Sequence, residues 1–140
     1  MGDLWHENIL ISVEQRPPRL YIVDWELART GLPGSEIGLF CAYLELLGQG
    51  SRVARESTST MLQSFLDAYV QTSSRDIRLA QDTSVHWGIN IIFWTPRDPP
   101  GSKELVQSLV RRGVEFLVHS RDLYFLAQSP LKELLPMSVW

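Results

Sequence analysis

Only two stretches of this 140-residue chain read as strands, and both lie within its first 24 residues. Asn8-Ile9-Leu10-Ile11-Ser12-Val13 and Leu20-Tyr21-Ile22-Val23-Asp24 are short apolar runs. The polar, proline-bearing Glu14-Gln15-Arg16-Pro17-Pro18-Arg19 joins them, which is the pattern of a hairpin. Two strands are at best marginally stable alone in water. They must therefore pack on the rest of the chain, and the rest repeats at helical spacing. The expected fold is α+β and mainly helical: a β-hairpin packed on a bundle of about four helices, with residues 1–140 forming a single domain.

The helical pattern can be followed in order. Gly31-Leu32-Pro33-Gly34 breaks the chain. Ser35 is positioned to cap a helix bearing Ile37, Phe40, Cys41, Leu44 and Leu47, which Gly48-Gln49-Gly50 ends. A second helix over about residues 54–72 has Met61, Leu62, Phe65, Leu66, Tyr69 and Val70 as its buried face. A third runs from near Asp76 to just before Pro96 and carries Leu79, Trp87, Ile91 and Trp94, the two tryptophans being assigned to core packing. Ser102 caps a fourth, which uses Leu105, Leu109, Phe116, Leu117 and Tyr124 and stops at Pro130. Leu131 to Leu135 adds one more turn.

Composition excludes several classes of function. Apolar residues make up 44% of the chain, enough for a core and too many for a disordered segment. A net charge of -3, with Arg111-Arg112 as the only adjacent basic pair, argues against a nucleic-acid partner. The longest apolar stretch, around Trp87 to Trp94, falls well short of the roughly 20 residues that a membrane span needs. One cysteine, Cys41, rules out an internal disulfide, and no basic leader is visible, so a cytoplasmic protein is expected. His6, His86 and His119 lack metal-ligand spacing, and His6 is expected to face solvent.

The chemistry is concentrated at the start of the chain. Asp3 and Asn8 precede the first strand, and Asp24 ends the second. Phosphoryl transfer needs these parts in this order. One carboxylate accepts the proton of the substrate hydroxyl, and an Asn and a further Asp hold the magnesium that bridges the nucleotide phosphates. Each residue alone has an ordinary reading, as a turn aspartate, a loop asparagine and a strand-ending aspartate. The order of all three, with strands between the two metal ligands, is much harder to obtain by accident. Trp5 and Trp25 flank this site and are the better tryptophans for shaping a pocket.

Gly2-Asp3-Leu4-Trp5-His6-Glu7-Asn8-Ile9-Leu10, followed by Ile22-Val23-Asp24-Trp25-Glu26, resembles the aminoglycoside phosphotransferase family. That family groups small-molecule kinases with a protein-kinase-like fold, and its pattern is H-G-D-x-x-x-x-N-I/V-L and then apolar-apolar-D-W/F-E. The resemblance implies that Asp3 is the catalytic base and that Asn8 and Asp24 hold Mg2+ with ATP. The implied function is an ATP-dependent kinase moving a γ-phosphoryl group to a hydroxyl of a small molecule. Gly31 to Glu36 resembles the segment in which the family places an Asp that braces the catalytic loop. Glu36 stands there instead, and a first-turn Glu favourable to the helix dipole is the other account of it.

Two departures accompany the resemblance. Met1 occupies the place of the motif's His, and no glycine-rich loop, strand lysine or partner glutamate is found in this sequence. The chain is thus expected to be a C-terminal lobe without its nucleotide-binding lobe, weakly active or inactive alone. It is also expected to self-associate through the face left bare. The alternative function is a non-catalytic remnant or binding module of the same family.

Overall fold

The computed structural model describes residues 1–139. A 3-10 turn, His6–Asn8, leads into strand β1, Ile9–Ser12, which pairs antiparallel with β2, Arg19–Ile22. The register sets Ile9 opposite Ile22 and Ser12 opposite Arg19. Five helices follow: α1 (Pro33–Leu47), α2 (Arg52–Thr72), α3 (Ile77–Trp94), α4 (Lys103–Val118) and α5 (Leu123–Gln128). A 3-10 turn over Pro130–Leu134 then closes under the bundle, where Leu134 O accepts the N–H of Asp76. The α+β, mainly helical architecture is the one expected.

Several local details differ from the sequence reading, and Leu47, expected on the stripe of α1, is exposed. Ser35 does not cap α1: Pro33 takes the first helical position, where its fixed φ suits the turn, and the Ser35 hydroxyl donates to Leu32 O instead. The expected fourth helix is two helices. The chain turns at His119–Arg121, and Asp122 caps α5 by accepting the N–H groups of Tyr124 and Phe125. Tyr124 thereby faces solvent rather than the core. Met61 lies half-exposed beside the hairpin and not on the buried face of α2. The caps expected at Asp76 and Ser102 are present.

The core sits where α1, α3 and α4 meet. Gly38 lets α1 close on α3, since a Cβ there would come within 2.7 Å of Thr83 O and of Trp87 N. Trp87 is buried and stacks on Phe116 of α4, with centroids 4.4 Å apart and planes 16° off parallel. Its indole N–H donates to Glu45 Oε2 at 2.8 Å, and Arg112 Nε donates to the other oxygen at 3.3 Å. Arg112, half of the adjacent basic pair, also lays its guanidinium over the Phe116 ring. The hairpin is the opposite of the core. Leu10, Ile11, Val13, Leu20, Tyr21 and Ile22 are all exposed, so the bare apolar face expected near the strand pair is there.

Glu45 gives this core a pH dependence. Burial raises its pKa above the ordinary 4.5, against the opposing pull of Arg112 and the Trp87 N–H. The folded state therefore holds the Glu45 proton more tightly than the unfolded chain does. The resulting stabilisation is fully present below 4.5 and is lost as pH rises through the raised folded value. Glu45→Gln keeps an acceptor for Trp87 and removes the titration. Urea midpoints measured from acid to neutral pH are expected to fall for the native chain relative to Glu45→Gln. Parallel profiles would show that Glu45 does not titrate with a shifted pKa.

Candidate functional site

The loop before β1 is fixed from two sides. Gly2 has φ +98, and a Cβ there would collide with the backbone carbonyl of Leu27, so only glycine fits. Glu36, in the first turn of α1, accepts the Gly2 N–H on Oε1 at 2.8 Å and the Leu4 N–H on Oε2 at 3.3 Å. The two bonds straddle Asp3. Glu36 thus reaches the loop despite having one more methylene than Asp, and its position in the first turn suits the helix dipole as well. Both accounts of Glu36 hold together.

Asp3 and Asn8 meet. Asn8 is buried, its N–H donates to Trp5 O at 3.2 Å, and its side-chain Nδ2 donates to Asp3 O at 3.0 Å and to Asp3 Oδ2 at 3.3 Å. This orients the amide: Nδ2 is engaged by the loop, and Oδ1 accepts no hydrogen bond among the described residues. Asp3 keeps Oδ1 free in the same way.

Asp24 arrives by the backbone. Val23 N–H donates to Asn8 O at 3.0 Å, continuing the strand pair one step beyond its last paired residues. Asp24 is the next residue, exposed, with φ 60 in the left-handed region. Asp tolerates that conformation better than bulkier residues, and such outliers gather at functional sites. No hydrogen bond joins its side chain to Asp3 or Asn8; the continued ladder is what brings it to the Asn8 end of the hairpin. The free donors at that end are an amide oxygen and a carboxylate, a set of hard oxygens that suits Mg2+. Trp25, expected to shape a pocket, is exposed, and its N–H folds back onto Ile22 O at 2.8 Å.

A cavity of about 230 Å3 adjoins the loop. Trp5, Tyr43 of α1 and Trp94 at the end of α3 form its aromatic wall, with Tyr43 5.2 Å from Trp5 and 5.9 Å from Trp94, centroid to centroid. Glu7 and Asp98 lie at its rim. Burial, and then the negative charges of Asp3 and Glu7, raise the Tyr43 pKa, so the phenol stays neutral at physiological pH. His6 was expected in solvent but is half-buried beside Tyr43, with Nδ1 enclosed and unpartnered.

Sequence reasoning missed Tyr43 and Asp98, and placed Trp94 in the core. The available signal was weak: Tyr43 falls two turns after Glu36, so both share a face of α1. Among the described residues, no helix is long and apolar enough to cross a membrane.

No protein-family model matches the chain. It is similar to two curated proteins named 4-hydroxytryptamine kinase. The one from Psilocybe cubensis is 36% identical over 121 residues, covering 81% of this chain and 32% of the relative. The one from Psilocybe cyanescens is 31% identical over 122 residues, covering 82% and 32%. The chain spans about a third of the length of the curated relatives it matches. Four-fifths of this chain is thus homologous to one stretch of small-molecule kinases.

Proposed function

We propose that this chain carries the acceptor-side machinery of an ATP-dependent phosphotransferase of the aminoglycoside phosphotransferase-like kind, which moves a γ-phosphoryl group to a hydroxyl of a small molecule. The observation that carries the reading is the held geometry of Asp3. Its loop is clamped by Glu36 on both sides, and its carboxylate is oriented by Asn8. The relatives' names, which specify a hydroxylated tryptamine kinase, agree with an acceptor of this type.

In this reading Asn8 Oδ1 and the Asp24 carboxylate hold Mg2+ beside ATP. Bound there, the ion supplies charge neutralisation at the nucleotide phosphate oxygens. Asp3 does the acceptor chemistry. Its free carboxylate oxygen aims the acceptor hydroxyl and takes its proton as the new O–P bond forms and the bond to ADP breaks. Gly2 and Glu36 keep Asp3 from drifting, which matters because misplacement by about 1 Å can cost on the order of a hundredfold in rate. The bare apolar hairpin belongs to the same reading, as the surface through which the chain self-associates.

Calorimetric titration with Mg-ATP tests the assignment. Asp24→Asn is expected to weaken magnesium-dependent nucleotide binding at least about tenfold, because it removes the one anionic ligand. Equal affinity in the two proteins would remove Asp24 from the site. Absence of magnesium-dependent binding in the unsubstituted protein would favour the non-catalytic reading.

A further inference from the structure

We infer that a second cavity, between α1, α2 and α4, binds a small organic monocarboxylate: Arg55 and Arg112 take its carboxylate, and Leu44 and Leu62 take its apolar body. This goes beyond the phosphotransfer reading and does not depend on it.

The second cavity is separate from the one beside the Asp3 loop. Tyr43 walls that one, and Glu45 lines this one. Residues two apart on a helix point about 200° apart, so the two cavities lie on opposite faces of α1. The end of α1 and the first half of α2 meet closely here, since a Cβ at Gly48 would come within 2.6 Å of Thr58 Oγ1. Arg112 enters from α4 and Trp87 from α3.

Charge is the first argument. The Arg55 guanidinium has no acidic partner among the described residues. Arg112 gives its Nε to Glu45 Oε1 at 3.3 Å, and its two terminal nitrogens make no hydrogen bond among the described residues. Glu45 is the one acid lining the cavity. Two cations against one anion leave a surplus of one positive charge, in a chain whose net charge is -3. A monoanion neutralises that surplus, and an amine is repelled by it. Terminal guanidinium N–H groups match the paired oxygens of a carboxylate.

The order of polarity is the second. Arg55 and Ser59 are exposed, while Leu44, Leu62 and Trp87 are buried. The polar groups therefore stand at the mouth and the apolar ones at the floor. A ligand with a charged head and an apolar body fills both, whereas a bare inorganic anion leaves the floor empty. The volume, about 290 Å3, is at the lower edge of the roughly 300–1,000 Å3 usual for drug-sized ligands, so the body is one ring or a short alkyl chain.

The test is titration of the protein with 3-phenylpropionate, 3-phenylpropanamide and inorganic phosphate, following the indole N–H signal of Trp87 by NMR. That N–H donates to Glu45, whose other oxygen takes Arg112, so a carboxylate arriving on Arg112 moves the signal. 3-Phenylpropionate is expected to shift it saturably. The neutral amide and the phosphate are each expected to bind at least about tenfold more weakly. Arg55→Gln, at an exposed position, is expected to weaken 3-phenylpropionate about three- to fivefold. Glu45→Gln keeps an acceptor for Trp87 and removes the competing anion, so it is expected to tighten binding about threefold. No saturable shift with 3-phenylpropionate, equal binding of the amide, or unchanged affinity in Arg55→Gln overturns the inference. Equal binding of phosphate overturns it too, because the apolar floor would then contribute nothing.

Discussion

Asp3→Asn is expected to lower phosphorylation of a small-molecule acceptor by about 10²–10⁴-fold while leaving Mg-ATP affinity within about threefold. The split follows from what Asp3 touches. One carboxylate oxygen accepts from Asn8 Nδ2, and in the proposed reading the other serves the acceptor hydroxyl, so the nucleotide loses no ligand when the charge is removed. Asn at this position fills nearly the same volume and can still meet the Asn8 amide, and Glu36 still holds the backbone N–H groups of Gly2 and Leu4. What disappears is the proton acceptor. Radiolabel transfer from γ-labelled ATP measures the first quantity and calorimetry the second. Activity within a few-fold of the unsubstituted protein would mean that another group takes the proton. A parallel loss of nucleotide binding would mean that Asp3 belongs to the metal site.

The parts of this molecule that sequence made legible are the parts determined locally. The hairpin could be read because two apolar runs and a proline-bearing loop suffice to specify it. The order of Asp3, Asn8 and Asp24 was legible because the strands fix it; the structure bonds Asn8 to Asp3, no side-chain hydrogen bond joins Asp24 to either, and sequence could not say that Asp24 would adopt φ 60. The break between α4 and α5 was hidden for a physical reason. Phe116 and Tyr124 are eight residues apart, a helical interval, so the apolar phase survives the interruption and periodicity cannot detect it. Asp122 ahead of Leu-Tyr-Phe was the cap signal that could have revealed it. Trp87 and Trp94 illustrate a second limit. Seven-residue spacing assigns both to one face of α3, but a face has length. Trp87 meets Phe116 in the middle of the bundle, while Trp94 is at the helix end, against Tyr43 and the cavity. Burial depth depends on which neighbours arrive from far along the chain, and no local pattern carries that information. The same holds for Glu45, an acid between Leu44 and Leu46 whose partners lie 42 and 67 residues away.

Trp87→Ala is expected to destabilise the fold by about 3–5 kcal/mol, the range for deleting a large buried aromatic. Three losses combine. The stacked contact with Phe116 goes, worth about 0.5–1.5 kcal/mol beyond simple burial. A cavity opens where α1, α3 and α4 meet, and the close α1–α3 approach at Gly38 leaves little freedom to refill it. Glu45 also loses its shorter hydrogen bond and keeps only Arg112, so a mostly buried carboxylate becomes less well satisfied. Set against a typical total of about 5–15 kcal/mol, this is a large fraction, and the thermal midpoint should fall by about 10–15 °C. Trp87→Phe separates the contributions: it keeps most of the stacking and loses the N–H, and about 1–2 kcal/mol is expected. Urea denaturation of both variants measures the difference, and a Trp87→Ala cost near or below about 1 kcal/mol would show that the centre of the bundle is not the organising contact. The consequence reaches the site through α1. That helix carries Glu36, which clamps the Asp3 loop, and Tyr43, which walls the cavity, while Glu45 anchors it to Trp87 and Arg112. Loosening the anchor is therefore expected to speed hydrogen exchange at the Leu4 amide in Trp87→Ala even where the molecule remains folded, because the clamp and the core share one rigid element.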